Sequence, residues 1–145
     1  MPVPRDHPYG NYNFLIEIDG IASGGFQEVS GLSVEIDVIE YRDGSDRTGA
    51  VRRLPGLHKL GNITLKRGIM GATDLYDWMR ATVNGQPARR NLAISLLPED
   101  RSGPVERWLL FNAFPVKFTL GPLNAKGTDV AMEELVLAAE RLEIA

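Results

Sequence analysis

The chain has 145 residues, a formal net charge of −3 and no cysteine. That length suits one domain, which at this size buries roughly 68–70% of its unfolded surface. Without cysteine there is no disulfide framework, thiolate metal site or thiol nucleophile, and so mild a charge does not mark a nucleic-acid binder. Residues 1–11 carry Pro2, Pro4, Pro8 and Gly10 and read as an extended N-terminal arm. The arm has no apolar h-region, and no apolar run approaches the ~20 residues of a membrane span, so the expectation is a soluble protein made in the cytoplasm.

Residues 12–19 alternate, with Tyr12, Phe14, Ile16 and Ile18 on one face, which predicts a strand. Asp19-Gly20 and Ser23-Gly24-Gly25 are turn signals. Residues 29–41 (VSGLSVEIDVIEY) predict one long strand, with Leu32, Val34, Ile36 and Val38 on one face and Ser33, Glu35 and Asp37 on the other. A charged, glycine-containing stretch follows over residues 42–53, then a turn at Pro55-Gly56. In residues 62–67, Ile63 and Leu65 alternate with Asn62, Thr64 and Lys66, again as a half-buried strand.

One helix is predicted, with Asp74 as its N-cap, Leu75, Trp78, Met79 and Val83 at helical spacing, and Asn84-Gly85 as the stop. Trp78 reads as core packing. A strand over residues 88–97 has Leu92, Ile94 and Leu96 inward, and a polar turn over 98–104 leads into a strand over 105–114. Pro115 either limits that strand or sits at an edge or bulge. Residues 130–144 (VAMEELVLAAERLEI) place Met132, Val136, Ala139 and Leu142 near helical spacing in good helix formers. Apolarity on both faces of a buried strand is the rival reading. The total is mainly β, a barrel or sandwich of antiparallel strands with one flanking helix.

No constellation for catalysis is present. His7 and His58 lie far apart with no metal-ligand spacing around them, no serine stands in a G-x-S-x-G elbow, and there is no phosphate-binding glycine loop. Glu133 and Glu134 would face opposite sides of a strand and could not cooperate. The reading is a protein with no catalytic residues, no metal and no cofactor. What remains is binding by shape. Over residues 42–57, Arg42, Asp43, Asp46, Arg47, Arg52 and Arg53 are framed by Tyr41, Val51, Leu54 and Leu57. Apolar shoulders on a mixed-charge arm suit docking onto another copy. Long strands with unpaired edges raise the same need, and if each copy adds strands to the next, the contact is heterologous and rotation can close it into a ring.

The segments VSGL, VIEYRDG and VRRLPGLHKLGNITLKRGI, taken in order, resemble the tail tube proteins of contractile tails. So do Pro8-Tyr9, residues 14–20 and Gly25-Phe26 before them. After them come Asp77-Trp78, Arg89-Arg90-Asn91, residues 111–115 and residues 123–127. The resemblance covers nearly the whole chain, as one tube-protein domain over residues 1–145. It implies that residues 130–144 form a long strand. It also implies hexameric rings stacked into a hollow inner tube, with a contractile sheath protein and baseplate or hub proteins as partners. Cargo in the lumen would be DNA or an effector protein, and assembly would be into a phage tail or an extracellular injection particle. Under it, Ser33, Glu35, Asp37, Asn62, Thr64 and Lys66 are the lumen-lining candidates, and residues 42–57 join subunits or rings. The alternatives are a type VI secretion tube protein and, from another class, a small-ligand-binding β-barrel.

Overall fold

The computed structural model describes residues 5–19, 25–86 and 88–145. Pro2, Pro4, Gly20 and Ser23-Gly24 of the arm and turn readings lie outside the described residues. Those described form β1 (Phe14–Ile18), β2 (Phe26–Ser30), β3 (Val34–Tyr41), β4 (Arg52–Leu60), β5 (Ile63–Gly68), α1 (Asp74–Val83), β6 (Arg90–Leu96), β7 (Glu106–Leu120), β8 (Met132–Ala138) and β9 (Arg141–Ile144). All strand pairings are antiparallel.

The 15-residue β7 is the spine. Its first half pairs with β6, which carries β1, and with β9. Its second half pairs with β8, and the sheet continues through β5 to β2. β3 and β4 form a separate two-stranded sheet. Alternation explains which residues face inward. Ile16 and Ile18 of β1, Leu92 and Ile94 of β6, Leu110 of β7, Ile63 and Leu65 of β5, and Leu135 and Leu137 of β8 meet in one core. Leu75 and Trp78 of α1 close it, and the Trp78 indole N–H donates to the Ala88 carbonyl at 2.6 Å. The N-terminal arm is tied down at Arg5, which donates to Glu99 at 2.9 and 3.2 Å and lies 3.5 Å over the Tyr9 ring. Those hydrogen bonds lower the Glu99 carboxyl to a pKa of about 2.

Several boundaries differ from the sequence reading. Residues 29–41 are two strands in different sheets, because the chain turns at Gly31 with φ +89°. There the backbone runs so close to the Asn62 carbonyl that a Cβ would collide with it. Pro55-Gly56 is no turn; both residues lie inside β4. Proline is tolerated in this two-stranded edge pair, next to the register shift between Ile36 and Val38. The helix N-cap is Thr73, with Asp74 the first helical residue, and Val83 is 70% exposed. β7 runs through Pro115, which is buried beside a register shift, the bulge option of the two expected. Residues 132–144 are extended, as the family resemblance implies, although their local composition favours a helix. β8 and β9 follow the same edge of β7 in one register, Phe114 opposite Ala138 and Phe111 opposite Arg141, interrupted at residues 139–140.

A charged cluster lies in the interior. Arg67 of β5 is 6% exposed, with Glu133 of β8 beside it at 6%. Its guanidinium donates to Glu133 and to Asp74 at the start of α1, and it lies 5.7 Å over the Phe26 ring of β2. Burial alone would push the Asp74 carboxyl up. The hydrogen bond and charge of Arg67 outweigh it, so the net shift is down. Removing one partner of such a pair leaves an uncompensated buried charge. Arg67→Met is therefore expected to destabilise the monomer by about 3–5 kcal/mol. Arg67→Met with Glu133→Met should restore most of that loss, and urea unfolding of the wild type, the single and the double variant measures both. A double variant no more stable than the single would contradict the pairing.

Acid should act through the same site. With a folded pKa below its unfolded value of about 3.9, Asp74 contributes stability that is complete above that value. The contribution is lost as pH falls toward the folded pKa. Asp74→Asn should cost stability at neutral pH and flatten the decline below about pH 4. Unfolding midpoints over that range check it, and a decline unchanged by Asp74→Asn would refute it.

Candidate assembly surface

Two surfaces have the character of contact faces. The first is the β3–β4 hairpin. Every residue of β3 is exposed, and no residue of β3 or β4 belongs to the core. Val34, Ile36 and Val38 share one face by alternation, while Glu35, Asp37, Ile39 and Tyr41 share the other. Ile39 lies opposite Leu54 and Val38 opposite Pro55. Val38 is 60% exposed and Leu57 82%. Lys59 lies 3.8 Å from Glu35 and 3.7 Å from Asp37. Both faces therefore carry apolar side chains that nothing among the described residues covers.

The hairpin tip holds its own shape. Asp43 accepts from the backbone N–H and hydroxyl of Ser45, both at 3.0 Å. Asp46 does the same with Thr48 at 3.0 and 2.8 Å. These bonds, led by the backbone N–H in each case, lower both carboxyls and keep them ionised. Arg42 donates to the Asp46 carbonyl at 2.8 Å. Of the nine arm residues singled out in the sequence, Arg42, Asp43 and Asp46 build the tip. Arg47, Val51, Arg52, Arg53, Leu54 and Leu57 are exposed on it or on β4. The hairpin extends farther than that arm, because β3 and β4 together run from Val34 to Leu60.

The second surface is the outward face of the β2–β5–β8–β7 half of the large sheet. Register places Glu28 of β2 opposite Lys66 of β5, Lys66 opposite Glu134 of β8, and Glu134 opposite Thr119 of β7. A second rung runs Ser30, Thr64, Val136 and Lys117. Glu28 and Lys66 pair at 3.2 Å. The structure thus brings Thr64 and Lys66 together on this face, with Asn62 exposed at the entry to β5. It sets Glu35 and Asp37 apart on the hairpin. Ser33 lies at the hairpin's root, where its carbonyl accepts from the Gly61 N–H at 3.1 Å. The sequence reading missed Glu28, Glu134, Lys117 and Thr119. Period-2 alternation in β2 and β8 could have found the first two, but the helical spacing of residues 130–144 masked β8.

The edges around this face are open. Among the described residues β2 pairs only with β5, and the second half of β7 only with β8. A groove of about 770 Å³ opens between the two halves of the sheet, lined by Tyr12, Phe14, Val29, Leu32, Ile94 and Trp108 among others. Among the described residues no cluster of three or more His, Asp or Glu could hold a metal ion.

Residues 10–143 match the family model described as T4-like virus tail tube protein gp19. A chain in the PVC sheath–tube complex of an extracellular contractile injection system, in the extended state, superposes with a TM-score of 0.86 at 33% identity. The match covers 97% of this chain and 93% of that one. A chain of the anti-feeding prophage tube-terminating cap has the same TM-score at 31% identity, covering 100% and 95%. Hcp1 from Flavobacterium johnsoniae, with a TM-score of 0.58 at 16% identity over 91% and 94%, shares the fold alone. No curated protein matches the chain significantly. With nearly its full length matched by the family model, the chain belongs to the T4-like tail tube protein gp19 family.

Proposed function

We infer that this chain is a structural subunit of the inner tube of a contractile injection machine. Six copies form a ring, and rings stack into a hollow conduit that a contracting sheath drives through a target envelope. The sheath, the baseplate and cargo in the lumen are its partners, and the reading assigns the chain no chemistry. The observation that carries it is the β3–β4 hairpin, which exposes apolar side chains on both faces beside a core complete without it. Likeness to tube chains of extracellular injection systems at 31–33% identity favours such a particle over a phage tail.

The edges supply the ring. The β2–β5–β8–β7 half has four antiparallel strands, so its two outer edges run in opposite directions. Placing the β2 edge of one copy against the β7 edge of the next keeps every pairing antiparallel, a heterologous contact that closes by rotation. The polar outward face, with Thr64 and Lys66, then lines the channel, and the hairpin reaches the neighbouring copy or ring.

Native mass spectrometry and negative-stain microscopy of concentrated protein should show hexameric rings or tubes. A variant with residues 36–58 replaced by a short Gly-Ser turn should keep its fold by circular dichroism and remain monomeric. A wild-type chain that stays monomeric at all concentrations, even on a baseplate nucleus, would contradict the tube reading. Normal tubes from the shortened variant would contradict the role given to the hairpin.

A further inference from the structure

The outward face of the β2–β5–β8–β7 half carries four charged side chains, and their placement is ordered. Glu28 and Lys66 pair at 3.2 Å. Glu134 stands on the other side of Lys66, so one ammonium lies between two carboxylates across three strands. The fourth group is Lys117, on the next rung beside Val136. Two carboxylates therefore face two ammonium groups, and the positions between them are Ser30, Thr64, Val136 and Thr119, all uncharged. Glu133 and Arg67, the neighbours of Glu134 and Lys66 in sequence, point inward to the buried cluster and add nothing to this face.

We propose that this face is a charge-balanced conduit wall which discriminates little between acidic and basic cargo. The proposal rests on the tube reading and adds to it the class of cargo the wall admits. Any excess charge on the face would repeat in every copy of every ring, and a cleft lined by one sign focuses its field. Here Glu28 and Lys66 lie 3.2 Å apart, and Glu134 and Lys117 occupy adjoining strand positions, inside the ~8–10 Å screening length at physiological salt. Seen from the channel axis their fields largely cancel, copy by copy. Neither a phosphate backbone nor a basic polypeptide then meets a net attraction that would hold it or a net repulsion that would keep it out. The hydroxyls of Ser30, Thr64 and Thr119 keep the wall wet, and the outward apolar positions of β8, Met132, Val136 and Ala138, are separated along the strand by Glu134 or by a single inward residue.

Two single substitutions on central strands, away from the sheet edges, tip the balance in opposite directions. Lys66→Glu makes the face net negative, and Glu134→Lys makes it net positive. The assay uses assembled tubes of the full chain, counted by microscopy. A fluorescent oligo-lysine peptide and a fluorescent oligo-glutamate peptide of equal length are trapped during assembly, and their retention after pelleting is measured. Wild-type tubes should retain the two peptides within about twofold of each other. Lys66→Glu tubes should favour oligo-lysine, and Glu134→Lys tubes oligo-glutamate, each by about tenfold or more at low salt. Both preferences should vanish near 1 M salt, where the screening length is about 3 Å. If either variant fails to assemble, the other still tests the wall. Wild-type tubes that hold one peptide tenfold over the other would overturn the proposal and leave the tube reading intact. So would intact variant tubes that show no preference. Absence of wild-type tubes would instead strike the reading beneath it.

Discussion

The constraint that shapes this molecule is apolar surface that its described residues leave uncovered. β3 and β4 leave the large sheet at Gly31 and return at Gly61, and between those glycines Leu32 alone packs against the core, before β3 begins. Val34, Ile36, Val38, Ile39, Tyr41, Leu54 and Leu57 are each at least 45% exposed. Covering a half-exposed Val, Ile or Leu contributes about 1 kcal/mol, so the row amounts to a sizeable drive toward association, offset by the entropy of docking. A two-stranded hairpin is only marginally stable alone. This one is held at its root by the Gly61–Ser33 hydrogen bond and at its tip by the Asp43 and Asp46 turns. Its middle relies on cross-strand pairs and on whatever lies against it.

The remainder of the chain supplies what a projecting hairpin needs, a base that does not deform when the hairpin is loaded. β7 links the two halves of the sheet by pairing with β6 and β9 along its first half and with β8 along its second. The buried Arg67 then ties β5 to β8 through Glu133 and to α1 through Asp74. Such a cluster contributes little net stability over apolar packing, but its geometry admits few alternatives. It sets the register of β5 against β8, and that register decides which side chains face outward on the same strands. Shifting β8 by one residue would turn Glu133 outward and Glu134 inward.

Much of this was legible in the sequence. Alternation in residues 62–67 and 88–97 identified β5 and β6 with the correct inward faces, and Leu75, Trp78 and the Asn84-Gly85 stop located α1. The failures have distinct causes. Hydrophobic alternation holds only from Leu32 to Val38, and the phase break at Val29 and Ser30 is the one local mark of the turn at Gly31 into a second sheet. Pro55-Gly56 carries a strong turn signal, yet Pro55 fits an edge strand because its missing N–H is not needed there. Residues 130–144 are a different case: the strand expected there follows from the family resemblance and is found, while Ala, Glu, Leu and Met favour a helix locally and pairing with β7 and β5 overrides them. The Arg67–Glu133 pair spans 66 residues. No local pattern can announce such a contact.

The central claim is that the core is complete in a single copy while the hairpin is completed by another. Hydrogen–deuterium exchange, compared between the monomer and the assembled tube, tests it most directly. The backbone amides of β5, β6 and β8 should be protected in both states, because their ladders and core are internal. Those of β3 and β4 should exchange rapidly in the monomer and become protected on assembly. A hairpin equally protected in the monomer, or one that still exchanges freely inside intact tubes, would contradict the account.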